Sequence, residues 1–224
     1  MPRPTKPLIS RDGTASAALR LIDDEGLAAL SLERLAQAMG VRAPSLYHHF
    51  GDKADILAEV ALMMFLETPV PRMPPAEAWR EWHLQMSVNR YKSILRHHRA
   101  ASLVLSFRPR HVVLPVYERS AKIMSLAGVP ERLQVTVMDA LEKLTFGSAI
   151  LDAAAIEENV ATFPDFDRER YPYVSTAINE GYARGEDTFA QTIWMLLRGF
   201  PDELSGDVPM EPNREHLEFL QRRR

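Results

Sequence analysis

Three observations on this 224-residue sequence predict an all-α fold. Apolar residues recur at i, i+3, i+4 and i+7 in one segment after another, the spacing that gathers side chains on one face of a helix. Gly26, Gly40, Gly51, Gly128, Pro130 and Gly185 stand between these segments, where a helix has to stop. No stretch sustains the apolar–polar alternation of a strand, and no internal repeat is visible.

The first helix is expected from Ser10 to Glu25, with Ala15, Ala18, Leu19 and Ile22 as its apolar stripe. Ahead of it, residues 1–8 hold three prolines and two cations. They read either as a basic arm along a phosphate backbone or as a frayed terminus. Leu27 and Leu30 fold the chain back after Gly26. Leu32, Leu35, Ala36 and Met39 mark a second helix, capped by Ser31 through its free backbone N–H groups. Gly40 suits the left-handed position that ends a helix. Val41 fills the corner, and Pro44 fits a first turn whose N–H would be unpaired anyway. A short helix over Ala43–Phe50 then buries Leu46 and Phe50 and turns Ser45, Tyr47, His48 and His49 outward. Two turns of helix are unstable alone. Held by neighbours, this pair has the layout of a helix-turn-helix, whose second helix enters the major groove.

Asp52 can cap a fourth helix from Lys53 to about Glu67, with Ile56, Leu57, Val60 and Met64 buried. Prolines at 69, 71, 74 and 75 break the chain. Trp79, Trp82, His83 and Met86 open a long helix reaching about His97, and a shorter one follows over Arg99–Ser106. Further helices are expected at Val112–Ala127, Glu131–Ile156, Tyr173–Tyr182 and Thr188–Gly199. Residues 157–169 read as an acidic loop, and a last short helix is expected at Arg214–Arg222. The domain organisation expected is residues 1–52, a helix-turn-helix domain with a basic arm, and residues 53–224, a helical ligand-binding and dimerisation domain. Residues 53–67 form the connecting helix.

Composition narrows the function. Hydrophobic residues make up 46%, enough for a sizeable core. There are no cysteines, which excludes disulfides, thiolate metal sites and cysteine nucleophiles. No apolar run approaches the roughly 20 residues of a membrane span. No hydrophobic signal core follows the first charges, so a soluble cytoplasmic protein is expected. The formal net charge of −3 argues against nucleic acid only if charge is spread evenly. It is not. Arg3, Lys6 and Arg11 open the chain without an acid, while Glu157, Glu158, Asp165, Asp167 and Glu169 gather late, favouring a DNA-facing amino end.

The run LSLERLAQAMGVRAPSLYHHFGDKADIL at 30–57 resembles the DNA-binding domain of the TetR family of transcriptional regulators. Leu46-Tyr47-His48-His49-Phe50, followed by Lys53 and Leu57, carries the resemblance most specifically. Farther on, AWREW at 78–82, Arg108-Pro109 and TFGSAIL at 145–151 are similar to the carboxy-terminal domain of the tetracycline-repressor branch. The resemblance implies a non-enzymatic regulator, most simply a repressor. It would bind a palindromic double-stranded DNA operator as a homodimer and be released by a small-molecule effector.

On DNA, phosphate contacts position such a module and base contacts specify it. The resemblance places Ser31, Tyr47 and Lys53 at phosphates. Arg42 has the fork for a bidentate guanine pair, Ser45 and His49 can bond other base edges, and Ala43 can meet a thymine methyl. His48 reads equally as a DNA contact or as simple exposure. Arg42 has a solvated turn, and Tyr47 partial packing, as the plainer reading. Dimerisation falls, by resemblance, to Glu131–Ile156 and Thr188–Gly199, where Ala140, Gly147, Ser148 and Ala154 permit close helix approach.

The resemblance puts a ligand site in the second domain, with Met86, Arg90, Val104, Arg108, Tyr117, Met138, Thr145 and Phe146 as walls. Each of these residues would serve equally as ordinary core. In the tetracycline-repressor branch a histidine and an asparagine help hold a magnesium ion and the drug. Val104 and Met86 align there and offer no hard ligand, so a magnesium–tetracycline effector does not carry over. Arg108 remains to pair with a carboxylate or phenolate, or with an acid of its own domain. His97 and His98 point about 100° apart on a helix and read as exposed helix-end residues rather than a metal pair. No metal or other cofactor is expected. Two other readings compete: an effector-independent DNA-binding dimer controlled by a protein partner, and a helical enzyme. The second lacks any nucleophile–base pair, phosphate-binding glycine loop or metal-spaced cluster.

Overall fold

The structure is a computed structural model, and it describes residues 9–107, 109–160, 165–179 and 185–200, without the side chains of Arg110 and His111. Arg108, the amino-terminal arm and the expected helix at 214–222 lie outside the described residues. Among the described residues every regular element is a helix: α1 Arg11–Glu25, α2 Leu32–Met39, α3 Ala43–Tyr47, α4 Lys53–Leu66, α5 Trp79–Arg96, α6 Leu103–Ser106, α7 Arg110–Leu126, α8 Glu131–Glu158, α9 Pro172–Asn179 and α10 Glu186–Arg198. None of them is long and apolar enough to cross a membrane.

Local chemistry sets the boundaries. Ser10 caps α1 by accepting from the Gly13 N–H at 3.1 Å, and Ser31 caps α2 by accepting from the Arg34 N–H at 3.0 Å. Gly40 takes φ 67°, and the N–H groups of Gly40 and Val41 close the end of α2 on the carbonyls of Gln37 and Ala36. α3 is shorter than the spacing predicts. It ends at Tyr47, although the Phe50 N–H still reaches the Leu46 carbonyl at 3.0 Å. Beyond it, Asp52 is extended and caps α4. Its carboxylate accepts from the Asp55 N–H at 2.9 Å, and Asp55 reaches back to the Gly51 N–H at 2.9 Å.

α1, α2 and α3 close around Ile22, Leu35, Leu46 and Phe50, all buried. α4 then packs on α1 on one side and on α5, α6 and α7 on the other. It belongs to both cores. The larger body is built on α5, which packs against α8 and α10, with Tyr91 stacked on Phe189 at a ring separation of 4.3 Å. The segment expected as one helix at Arg99–Ser106 is instead a 3₁₀ turn, His98–Ala100, followed by the single turn α6.

That turn corrects the reading of the histidine pair. His97 is not an exposed helix end. Its Nδ1 lies 2.7 Å from Asp23 at the end of α1, and its Nε2 lies 3.0 Å from Glu67 at the end of α4. Arg99 adds bonds to the carbonyls of Asp23 and Asp24 at 3.0 and 2.6 Å. Chain reversal after α5 brings these groups to the carboxyl ends of α1 and α4, a proximity no local spacing announces.

Candidate nucleic-acid interface and internal cavity

Leu46 is fully buried and Ala43 packs partly against the core, so Pro44 and Tyr47 turn outward by the 100° step of the helix. Tyr47 is 53% exposed, and Arg42, His48, His49 and Lys53 are exposed as well. Ala43, Ser45 and Ser31 are half-buried. These eight residues lie on one stretch from the cap of α2 to the first turn of α4. Ser31 gives its oxygen to the cap and keeps its hydroxyl proton for a second partner. Arg42 makes no side-chain cap bond at the start of α3.

Arg11 departs from the charge reading. Its guanidinium donates to Glu59 of α4 at 2.7 Å and to the His49 carbonyl at 3.0 Å, and it lies over the Phe50 ring at 4.8 Å. One cation thus ties the start of α1 to the end of the α3 turn and to α4. It is a brace for the helix-turn-helix, not a spare charge for phosphate. Glu59 lies 48 residues away, beyond any local charge count.

The second feature is a pocket between helices that opens to solvent, with about 100 Å³ of room inside and about 630 Å³ when the open space at its mouth is counted. Phe65 of α4 closes one end. α5 contributes Trp82, His83, Met86, Ser87 and Arg90; α7 contributes Val113, Val116, Tyr117 and Ser120; α8 contributes Met138, Leu141, Glu142, Thr145 and Phe146. Of the walls expected from sequence, Met86, Arg90, Tyr117, Met138, Thr145 and Phe146 are brought together here. Val104 is not. It sits on α6, which packs on α4, and is 1% exposed in the core away from the cavity.

Phe65, Trp82, His83, Ser87, Val113, Val116, Ser120, Leu141 and Glu142 were missed as wall residues. His83 stood on the Trp79–Trp82–Met86 stripe and was the one with a legible signal. Glu142 had none, because an acid beside Leu141 on a long helix ordinarily faces water. In the structure its carboxylate accepts from the Tyr117 hydroxyl. Arg90 is held over the Phe65 ring at 4.5 Å and donates to the Phe65 carbonyl at 3.2 Å. Burial pulls its pKa down to about 10, against the opposing attraction of Glu142 and Tyr117. It stays charged at neutral pH.

His83 forms the other polar pair. Its Nδ1 lies 2.7 Å from the Trp79 carbonyl, which can only accept, so Nδ1 carries the proton. Nε2 then accepts from the Ser120 hydroxyl at 2.7 Å. Burial lowers the pKa of His83 to about 4, against a small opposing effect of the Trp79 carbonyl. The ring is neutral at pH 7. Among the described residues no group of three or more histidines or acids could hold a metal ion.

A braced helix-turn-helix on a helical body with a pocket between its helices is the architecture of a transcriptional regulator. Residues 15–60 match the family model for bacterial regulatory proteins of the tetR family. The chain is 25% identical over 203 residues to the class D tetracycline repressor protein of Escherichia coli, covering 88% of this chain and 91% of that one. A TetR-family transcriptional regulator from Streptomyces coelicolor is 30% identical with a TM-score of 0.59, over 67% of this chain and 89% of that one. The ActR protein of Streptomyces coelicolor, solved with actinorhodin, shares the fold at 22% identity and a TM-score of 0.69, over 87% of this chain and 96% of that one. This chain belongs to the TetR family of transcriptional regulators.

Proposed function

We propose that the protein is a repressor that binds a palindromic operator as a homodimer and lets go when a small molecule enters the internal cavity. One observation carries the coupling. Phe65 at the far end of α4 forms a cavity wall, while the first turn of α4 abuts the α3 turn and its flank packs on α1. A ligand that favours one position of Phe65 therefore acts on the helix that supports the recognition surface, and release follows from its higher affinity for that state. The similarity to a tetracycline repressor supports the direction of the effect. We divide the chain at residue 52, with 53–67 as the shared lever.

On the operator, Arg42, Ala43 and Ser45 read base edges from the start of α3 and His49 from the turn after it, Ser31, Tyr47 and Lys53 hold phosphates, and His48 lies beside them. Two copies on one face of the duplex would place recognition helices about 34–36 Å apart. α8 and α10 supply the dimer face. They expose Leu151 at 73%, Ile156 at 53% and Met195 at 74%. A Cβ added at Gly147 would meet nothing within 4 Å, so packing within the chain does not explain the glycine there.

Selection from a random DNA pool tests this reading. A palindromic consensus is expected. Arg42→Ala should relax preference at one base pair of each half-site, costing about 1–3 kcal/mol. Tyr47→Ala should weaken all sequences alike. Recovery of no consensus, or indifference to both substitutions, overturns the assignment.

A further inference from the structure

A second tether joins the first three helices to the body, and the inference drawn from it rests on the operator reading above. The last turn of α1, Ile22 to Glu25, carries three acids and no cation. Its end is the negative pole of a helix, where backbone carbonyls run out of intrahelical partners. The Gly26 N–H closes on the Ile22 carbonyl at 2.8 Å. The next two carbonyls, of Asp23 and Asp24, are met from the body: one guanidinium nitrogen of Arg99 donates to both, at 3.0 and 2.6 Å. Of the acids, Glu25 pairs inside the unit with Arg34 of α2, whereas Asp23 meets His97.

His97 makes the tether three-way. One ring nitrogen lies 2.7 Å from Asp23 and the other 3.0 Å from Glu67, just past the end of α4, where Arg96 adds a cation at 3.6 Å. The His97 side chain is 12% exposed, so these contacts are screened less than a surface pair would be. Ala100 of the same turn is fully buried, which seats Arg99 and His97 on the core. A unit attached along α4 alone could roll about that helix. α1 lies beside α4, so a bond from the body to α1 acts off the α4 axis and resists the roll.

α1 carries the constraint to the recognition surface. From Arg11 to Asp23 it runs as one helix, roughly 18 Å long. Arg11 at its start holds the His49 carbonyl at 3.0 Å and Glu59 of α4 at 2.7 Å. We propose that Arg99 and His97 are positioning residues for operator recognition: by clamping the carboxyl end of α1 to the body, they fix the half-site separation that the dimer accepts. Each added base pair shifts a half-site by about 3.4 Å and turns it by about a tenth of a helical repeat. A clamped unit does not follow that step, and a rolling one does.

Site selection from a random DNA pool by full-length wild type, Arg99→Met and His97→Ala tests it, followed by fluorescence anisotropy on duplexes whose half-site spacing is changed by one base pair either way. Wild type should return one spacing and lose about tenfold or more in affinity when it is changed, the size of one mismatched base pair. Both variants should return the same half-site sequence at two or more spacings and lose no more than about threefold. A loss of overall stability lowers binding at every spacing alike, so the ratio between spacings reads the clamp. Either variant suffices if circular dichroism shows the other unfolded. A folded variant that keeps the single spacing and the tenfold loss, or wild type that itself accepts several spacings, overturns the clamp and leaves the operator reading standing. A wild-type pool without paired half-sites overturns the operator reading and the clamp together.

Discussion

His83 shows how one buried side chain links the body of the protein to pH. The unfolded chain takes up this proton near the ordinary value of 6.5, the folded chain only near 4. Between those values the unfolded state binds more protons, so stability present above pH 6.5 is lost as the pH falls toward 4. From pH 7.5 to pH 5 the loss from this one group is about 2 kcal/mol. Urea unfolding at the two pH values measures it. His83→Gln should lower stability at pH 7.5 but shrink the difference between the two pH values by about 2 kcal/mol. An unchanged difference would mean that the ring is protonated in place. At this scale sequence and structure diverge most. Tyr47 and His49 reach the surface because Leu46 and Phe50, four residues apart, take the buried face, which the sequence states. Arg11 and Glu142 find their partners 48 and 25 residues away, which it does not.

At the scale of the element, Ser31 holds two assignments that substitution can separate. As a cap it satisfies the Arg34 N–H, and as a proposed phosphate contact it donates its own proton. Ser31→Ala should cost about 1 kcal/mol of stability through the lost cap and also weaken operator binding. Ser31→Asp restores the cap, so unfolding should return to within about 0.5 kcal/mol of wild type. DNA affinity should fall further than in Ser31→Ala, because a carboxylate then faces phosphate. If Ser31→Asp binds operator as wild type does, the residue is a cap alone. α3 illustrates what periodicity misses. Its apolar pair extends to Phe50, but the helix ends at Tyr47 and the chain turns through His48 to Gly51 before Asp52 caps α4.

The whole molecule is where the dimer and the coupling belong. Leu151 and Met195 are among the most exposed large apolar side chains described, on the two helices proposed as the dimer face. Leu151→Lys with Met195→Lys should convert a dimer to a monomer in sedimentation velocity, with helical circular dichroism retained, since neither side chain supports the core of its own chain. A dimer that survives both changes would place the interface elsewhere. The proposed coupling between the pocket and the recognition surface would have two structural routes: α4 itself, and the junction in which His97 joins Asp23 to Glu67. Both cross from the first three helices to the rest of the body.

From the sequence alone came the all-α class, the helix-turn-helix with its caps at Ser31, Gly40 and Asp52, and the outward face of α3. All of these are set by interactions within a few residues, where periodicity and capping chemistry act directly. Only the tertiary structure decided that Val104 is core while Met86, Arg90, Tyr117 and Met138 share one cavity, that Glu142 accepts from Tyr117 in its wall, and that His97 bridges two helix ends. Those outcomes depend on which helix faces pack together across tens of residues. An apolar or charged residue carries the same local pattern whether its face meets a cavity, a core or water.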